Sequence, residues 1–443
     1  MLFLTCLAIA RAATPAARAT TATPATAPLL PPWPSTWAMN ASTIVMPCNY
    51  SGYFDADYAA QFAVVDFDWS NAKQLWANTK PMDCQERLVT QAQMVKAKNP
   101  RVRTFVYRNI VKALPWYTQV REKLEDPNYA GWFLRFRDYP AANASYHVPA
   151  CTAGQCSQFY HDQSQTPEHP HGDGSCVDAC DCGSVPCGEY LWDHRNASLR
   201  AWLVDEFIGG KQGIQNAAID GFFLDDGWHV GQDKYAPWMP KAGFCDTCAP
   251  GSPADKCPGG PTEEDVHCVV DMGLSAQDVK DITAAWKLTM SAAQAAIVKG
   301  GGFNWQLFSG ATGPTTGMPA AQCAAVVRDL CSDTKYNEPL VFDFATPVPD
   351  FNLDLATFLL VRGPYAWLGY SWDGCVGSVG PGPGASMPYV KYGLPKTVQA
   401  DYGEPTSRCE ETAAGSGVFT RAWSKATVTV DCNDGVSATI DMK

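Results

Sequence analysis

Charge is scarce in this chain. Asp, Glu, Lys and Arg make up 18% of its 443 residues, against roughly 25% in an average soluble domain, which excludes a charge-stretched disordered chain or a coiled coil. Basic residues are the scarcer sign: Lys+Arg number 33 against 45 Asp+Glu, a formal net charge of −12. Nucleic-acid binders usually carry a basic patch, so no phosphate-backbone partner is expected. No run of ~18 apolar residues occurs, and no membrane span is expected. The Gly-x-Ser-x-Gly elbow is missing. So are a Walker loop and a Gly-x-Gly-x-x-Gly strand–helix turn. No cofactor is expected.

What the chain does have is apolar residues, 46% of the total, enough for a large core. The length suits one large barrel or two mid-sized domains. Met1 to Ala10 form a short apolar stretch, followed by small-x-small sites at Ala8-Ile9-Ala10, Ala10-Arg11-Ala12 and Ala17-Arg18-Ala19. That is the shape of a secretory signal over residues 1–19, although no basic residue precedes the apolar run. Residues 20–41, rich in Ala, Thr and Pro, read as an extended linker. Eighteen cysteines in a charge-poor chain suggest disulfides formed in an oxidising compartment. Setting Cys6 aside with the signal leaves an odd count, hence one free thiol, an intermolecular bridge or a different cleavage site. Four Asn-x-Ser sequons, at Asn40, Asn49, Asn143 and Asn196, also fit a secreted or lumenal chain.

Short apolar segments alternate with helical ones after the linker. Strands are expected at 42–46, 62–67, 102–107, 190–192, 221–224, 303–308, 340–344 and 365–370. Most are continuous apolar runs, as in strands buried on both faces. Helices are expected at 84–98, 197–208, 275–299, 320–330 and 353–362, the third closed by Gly300, Gly301 and Gly302. Strand and helix repeated about eight times predict a (β/α)8 TIM barrel over residues 42–396. An open doubly wound sheet is the alternative, without the Gly-rich first turn it usually shows. Two Cys-rich insertions, 109–188 and 229–272, break the alternation. Residues 397–443 alternate as strands do and predict a small C-terminal β appendage.

In such a barrel the chemistry sits where strands end. The clearest end is Ile219-Asp220-Gly221-Phe222-Phe223-Leu224-Asp225-Asp226-Gly227, an apolar strand running into two carboxylates. Successive side chains alternate, so an ideal strand aims only one of these Asp inward; the other would cap, bond backbone or orient the first. A plain Asp-Gly turn competes with this reading. Asp66 and Asp68, Asp193, Asp343 and Asp373 close other strands, predicting a ring of carboxylates, unless some of them are helix N-caps, Asp193 above all. Paired carboxylates with divided labour suit glycosidic cleavage. Arg108, Asn109 and Asn304 are candidate sugar-hydroxyl partners. Trp69, Trp192, Trp228, Trp305 and Trp372, with Trp116, stand at or past strand ends, where a flat ring suits a pyranose face; core filling is the other use of such rings. His229 follows Trp228 and is a candidate for the rim of the site. His161, His169 and His171 lie among Asp162, Glu168 and Asp173, but their spacing fits no fixed ligand pattern. Cys245-x-x-Cys248 with Cys257 and Cys268 favours disulfides over zinc. No metal site is assigned.

With those residues the chain resembles the glycoside-hydrolase-like TIM barrels known as the hypothetical glycosyl hydrolase group. Their Asp-Gly-x-x-x-Asp-Asp strand, after a helix beginning near Asp/Asn-x-x-x-Arg, matches Asp220-Gly221 through Asp225-Asp226, preceded by Asn196 and Arg200. Their closing turn and Arg-x-Phe/Trp strand match Asp401-Tyr402-Gly403-Glu404-Pro405 and Arg421-Ala422-Trp423. The likeness covers roughly residues 42–435 and has no counterpart for the insertions. It implies a carbohydrate-active barrel with a catalytic Asp at 225 or 226, and leaves Asp343 and Asp193 as candidates for the second carboxylate. The expectation is a secreted glycoside hydrolase with Asp225 as nucleophile or base, acting on an extracellular or cell-wall glycan. A non-catalytic carbohydrate-binding barrel and a metal-dependent hydrolase are the alternatives.

Overall fold

The computed structural model describes residues 30–134 (other than 36, 48, 50 and 80), 190–227, 276–306, 313–332, 340–342, 351–373 and 396–443. The strands are β1 (Thr43–Pro47), β2 (Val64–Phe67), β3 (Arg103–Asn109), β4 (Lys112–Ala113), β5 (Tyr190–Leu191), β6 (Gly221–Asp225), β7 (Phe303–Gln306), β8 (Leu340–Phe342) and β9 (Ala366–Asp373). The C-terminal strands are β10 (Glu410–Glu411), β11 (Val418–Ala422), β12 (Ala426–Asp431) and β13 (Ser437–Met442).

Seven of them form one sheet in the order β7-β6-β3-β2-β1-β9-β8, and every neighbouring pair is parallel. In β1 and β2 every residue is buried, the mark of parallel strands covered on both faces. The sheet curls. Phe303 of β7 and Trp367 of β9 bring their rings to 6.5 Å, although four strands lie between β7 and β9. The outer strands β7 and β8 are not paired among the described residues, so this is a barrel not fully closed. Ile44, Val64, Phe105 and Phe303 fill its inner face near the strand starts. Trp33 closes that end, with ring centroids 6.0–6.2 Å from Phe105, Phe303 and Trp367 and an indole N–H donated to Gly301 O.

Eight strands were expected in the barrel, and the segment at 190–192 is the one that does not join it. Its β5 pairs antiparallel with β4, and Trp192 N donates to Val111 O. The chain leaving β3 captures this segment, while β3 pairs directly with β6. That exit, from β4 through the helix α4 (Thr118–Glu125), is the described start of the first insertion. Beyond Leu134 that insertion, and all of the second, lie outside the described residues.

The other elements follow local chemistry. Asp55 caps α1 (Ala56–Ala59) by accepting from Asp57 N and Tyr58 N. After α2 (Lys73–Asn78), α3 (Cys84–Lys98) ends in Lys96 and Lys98, favourable against the helix dipole. Asn196 caps α5 (Ala197–Trp202), whose continuation over Leu203–Ile208 widens to a π turn. The helices α6 (Ala276–Lys299), α7 (Ala320–Leu330) and α8 (Phe351–Val361) complete the set. From Leu353 to Val361 only Asp354 of α8 is not buried. A helix apolar all round is a core helix, and α8 packs against β11, β12 and β13. Those strands, with β10, form an antiparallel sheet, and β12 alternates buried and half-buried residues. Two disulfides, Cys323–Cys432 and Cys331–Cys409, tie this sheet to α7.

Candidate active site

The site is set by strand parity. In the register of β3 on β6, Tyr107 faces Phe223 and Asn109 faces Asp225. Side chains alternate, so Tyr107, Asn109 and Asp225 share the inner face with Phe105, at the strand ends away from Trp33. Tyr107 Oη donates to Asp225 Oδ2 at 2.7 Å. Asn109 Nδ2 donates to Tyr107 Oη at 3.0 Å and to Asp226 Oδ2 at 2.7 Å. The Asn109 amide is itself oriented, because its Oδ1 accepts from Val111 N and Lys112 N.

Both acidic residues at this strand end join the network. Asp226 has φ 60°, the left-handed region that Asp tolerates better than most residues. That bend brings its carboxylate back to Asn109, while its N–H donates to Asp225 Oδ1 at 2.7 Å. Lys112 Nζ stands 3.9 Å from Asp226 Oδ2. Burial raises the Asp225 pKa from its ordinary value, the neighbouring Asp226 charge raises it further, and the Tyr107 bond, the Asp226 N–H and Lys112 oppose this; the result is about 7. Burial, and then Asp225 and Asp226, push the Tyr107 hydroxyl well up, so it stays a donor.

Asp66 and Asp68 lie one strand further round, both buried. Neither oxygen of Asp66 has a hydrogen-bond partner among the described residues. Burial, with the Asp68 charge behind it, pushes its pKa well up and so favours the neutral carboxyl. Asp68 is raised by burial too, against the opposing Ser70 hydroxyl and N–H, Lys73 and the Trp69 backbone; Ser70 bonds it at 2.5 and 2.9 Å. Trp69 packs on Trp76 and Trp116 and carries the Lys73 ammonium 4.5 Å over its ring.

Other sequence candidates lie elsewhere. The parity that turns Tyr107 and Asn109 inward turns Arg108 outward. Arg108 is fully buried against Tyr117, Phe207 and Phe222 and donates to Tyr107 O and Gln212 O, so it does not face the carboxylates. Asn304, in register with Phe222, is also on the outer face. Trp192 is buried and stacked on Phe133 at 5.0 Å, which is core filling. Asp193 pairs with Arg195 at 2.8 Å, and Arg195 in turn bridges to Asp278. Among the described residues no partner of Asp193 belongs to the Tyr107–Asn109–Asp225–Asp226 network. The cap of α5 is Asn196 rather than Asp193. Asp220, of the motif shared with the resembling barrels, sits at the strand start, paired with Lys96 at 2.5 Å and Arg103 at 3.0 Å. Trp305 is placed in β7, and Trp372 and Asp373 in β9, by strand alone. Asp343, Trp228 and His229 lie outside the described residues. Sequence reasoning missed Tyr107 and Lys112. The signal for Tyr107 was its shared parity with Asn109; nothing local marked Lys112. Among the described residues no group of three or more His, Cys, Asp or Glu is placed to hold a metal, and no helix is long and apolar enough to cross a membrane.

No family model matches the chain, and no curated protein matches it. It is similar in fold to several solved carbohydrate-active enzymes. With a debranching enzyme from Nostoc punctiforme it shares 9% identity and a TM-score of 0.40, over 90% of this chain and 89% of that one. With sucrose 6F-phosphate phosphorylase from Thermoanaerobacter thermosaccharolyticum the values are 9% and 0.41, over 92% and 99%. With an Anoxybacillus alpha-amylase they are 10% and 0.37, over 92% and 97%. At such identities and superpositions neither activity nor substrate transfers to this chain.

Proposed function

We propose that this protein is a secreted glycoside hydrolase acting on an extracellular or cell-wall glycan, with Asp225 as the general acid. The observation that carries this is the Asp225 carboxyl. It ends a buried parallel strand on the inner face of the barrel, takes a hydrogen bond from Tyr107, and has a pKa near 7. A general acid works best with a pKa close to the working pH. From sequence Asp225 was a nucleophile or base; burial and the adjoining Asp226 favour the acid role instead. Tyr107 and Asn109 hold the carboxyl in place, and Asp343 is the proposed opposing carboxylate. Secretion is supported by the signal-like N-terminus and by Cys323–Cys432 and Cys331–Cys409, since structural disulfides belong to oxidising compartments.

Screening the secreted chain on a panel of glycans tests the proposal. Asp225→Asn should lower cleavage by about 10²–10⁴-fold and leave glycan binding in place. A variant that cleaves as well as the wild type, or a wild type that binds glycans and cleaves none, overturns it.

A further inference from the structure

Three sequons have their asparagine among the described residues, and the fold treats the three side chains differently. Asn196 is half-buried and fully employed. Its Oδ1 accepts from Ser198 N, Ser198 Oγ and Leu199 N as the cap of α5, and its Nδ2 donates to Gly131 O at 3.1 Å. A Cβ placed on Gly131 would lie only 3.7 Å from that Nδ2, so the chain runs directly past the nitrogen a sugar would use. Asn49 is also engaged. Its Oδ1 accepts from Ser51 N, and its Nδ2 donates to Tyr53 O at 2.9 Å. Its backbone is fixed by Asn71 Oδ1 and Ala72 N in the loop after β1. Asn40 is exposed, sits on a short 3-10 turn (Met39–Ala41) just before β1, and makes no side-chain hydrogen bond among the described residues.

We propose that Asn40 carries an N-linked glycan in the secreted protein, and that Asn49 and Asn196 stay bare. The inference rests on the reading that the chain is exported. In the transfer, Asn40 Nδ2 forms a bond to the anomeric carbon of a lipid-diphosphate-linked oligosaccharide. The bond from that carbon to the diphosphate oxygen breaks, the lipid diphosphate leaves with the electron pair, and the amide gives up one proton. At Asn40 the product extends into solvent. At Asn196 the same bond places a sugar where Gly131 stands, and at Asn49 where Tyr53 O is bonded, so molecules modified there lose a helix cap or the β1 loop and are selected against in folding. Asn40 precedes β1, whereas Asp225 ends its strand. A glycan there leaves the carboxylates at the opposite end of the barrel uncovered.

The test is expression of the full chain with its own N-terminus in a eukaryotic secretory host. Glycans are released by an amidase in heavy-oxygen water, and the resulting Asn-to-Asp conversions are mapped by mass spectrometry. Label at position 40, and none at 49 or 196, is the expected result. Label at 49 or 196, or a secreted chain labelled at Asn143 and bare at Asn40, overturns the assignment and leaves export intact. A chain retained in the cytosol and unlabelled throughout overturns both. Asn40→Gln should remove the mobility shift and leave thermal stability unchanged. Asn196→Gln should leave the mobility as it is and lower the thermal midpoint through the lost cap. Ser42→Ala is the wrong control, because the Ser42 hydroxyl also accepts from buried Arg362.

Discussion

Asp225 is held between opposing influences, and single substitutions should move it in opposite directions. The Tyr107 bond favours its ionised form, so Tyr107→Phe should raise its pKa and carry the alkaline limb of the pH–activity profile upward. The Asp226 charge opposes ionisation, so Asp226→Asn should carry the same limb downward. Profiles of the two variants that shift together would show that Asp225 does not set the limb. His194 offers a test independent of any substrate. It is fully buried, its Nε2 lies 2.6 Å from Ile110 O and its Nδ1 3.0 Å from Thr289 Oγ1. Burial, with Arg200 adding to it and Ile110 O and Asp193 opposing it, lowers its pKa to about 4. The unfolded chain therefore binds a proton first as pH falls. Stability from the neutral ring is complete above pH ~6.5 and is lost on the way down to pH 4, by about 3 kcal/mol. Denaturant titrations between those limits should show that slope in the wild type and a shallower one in His194→Gln; equal slopes refute it. At this scale the strand-end carboxylates were legible, since Asp225 could be read from an apolar run meeting an acid. Arg108 was misplaced, because a sequence of polar residues does not reveal which parity faces inward until a partner strand sets it.

Elements were legible where apolar periodicity was long. The helices at 84–98 and 320–330 were placed to the residue, and the strand ending at Asp225 was one residue longer than expected. The misplaced segment at 190–192 is short, and its partner was chosen by the exit from β3, a non-local choice that no local pattern records. The left-handed Asp226 was equally hidden, since alternation alone sends one of the two acids away. Gly221 shows what close approach demands of β6. A Cβ there would meet Phe303 O at 2.2 Å and the Phe105 ring at 2.5 Å. Gly221→Ala should therefore destabilise the protein by about 1–3 kcal/mol through overpacking, measured as a lower denaturant midpoint. An unchanged midpoint would mean that β3 and β7 are not held this tightly.

Over the whole molecule the C-terminal sheet is joined to the barrel by more than its two disulfides. Arg421, fully buried, donates to Leu359 O, Leu360 O and Arg362 O, the carbonyls that α8 leaves open at its end. Arg362 reaches back to Ser42 and Trp37, so the approach to β1, the end of α8 and the appendage share one joint. Replacing Cys331 and Cys409 together by Ser should cost about 2–4 kcal/mol and leave one cooperative transition, because Arg421 and the apolar face of α8 still hold the sheet. A separate early transition of the sheet would contradict that joint. Among the described residues Cys84 is free and buried, one of the three alternatives that the odd cysteine count left open. Sequence could not pair the others, since pairing depends on which helix the appendage meets.

Trp33 makes the curled sheet a cup with a floor. Whatever approaches Asp225 from the strand starts meets that indole first, packed against Phe105, Phe303 and Trp367. The proposed glycan would then meet the acids across the rim where the strands finish, on the far side of the bore from that single aromatic residue.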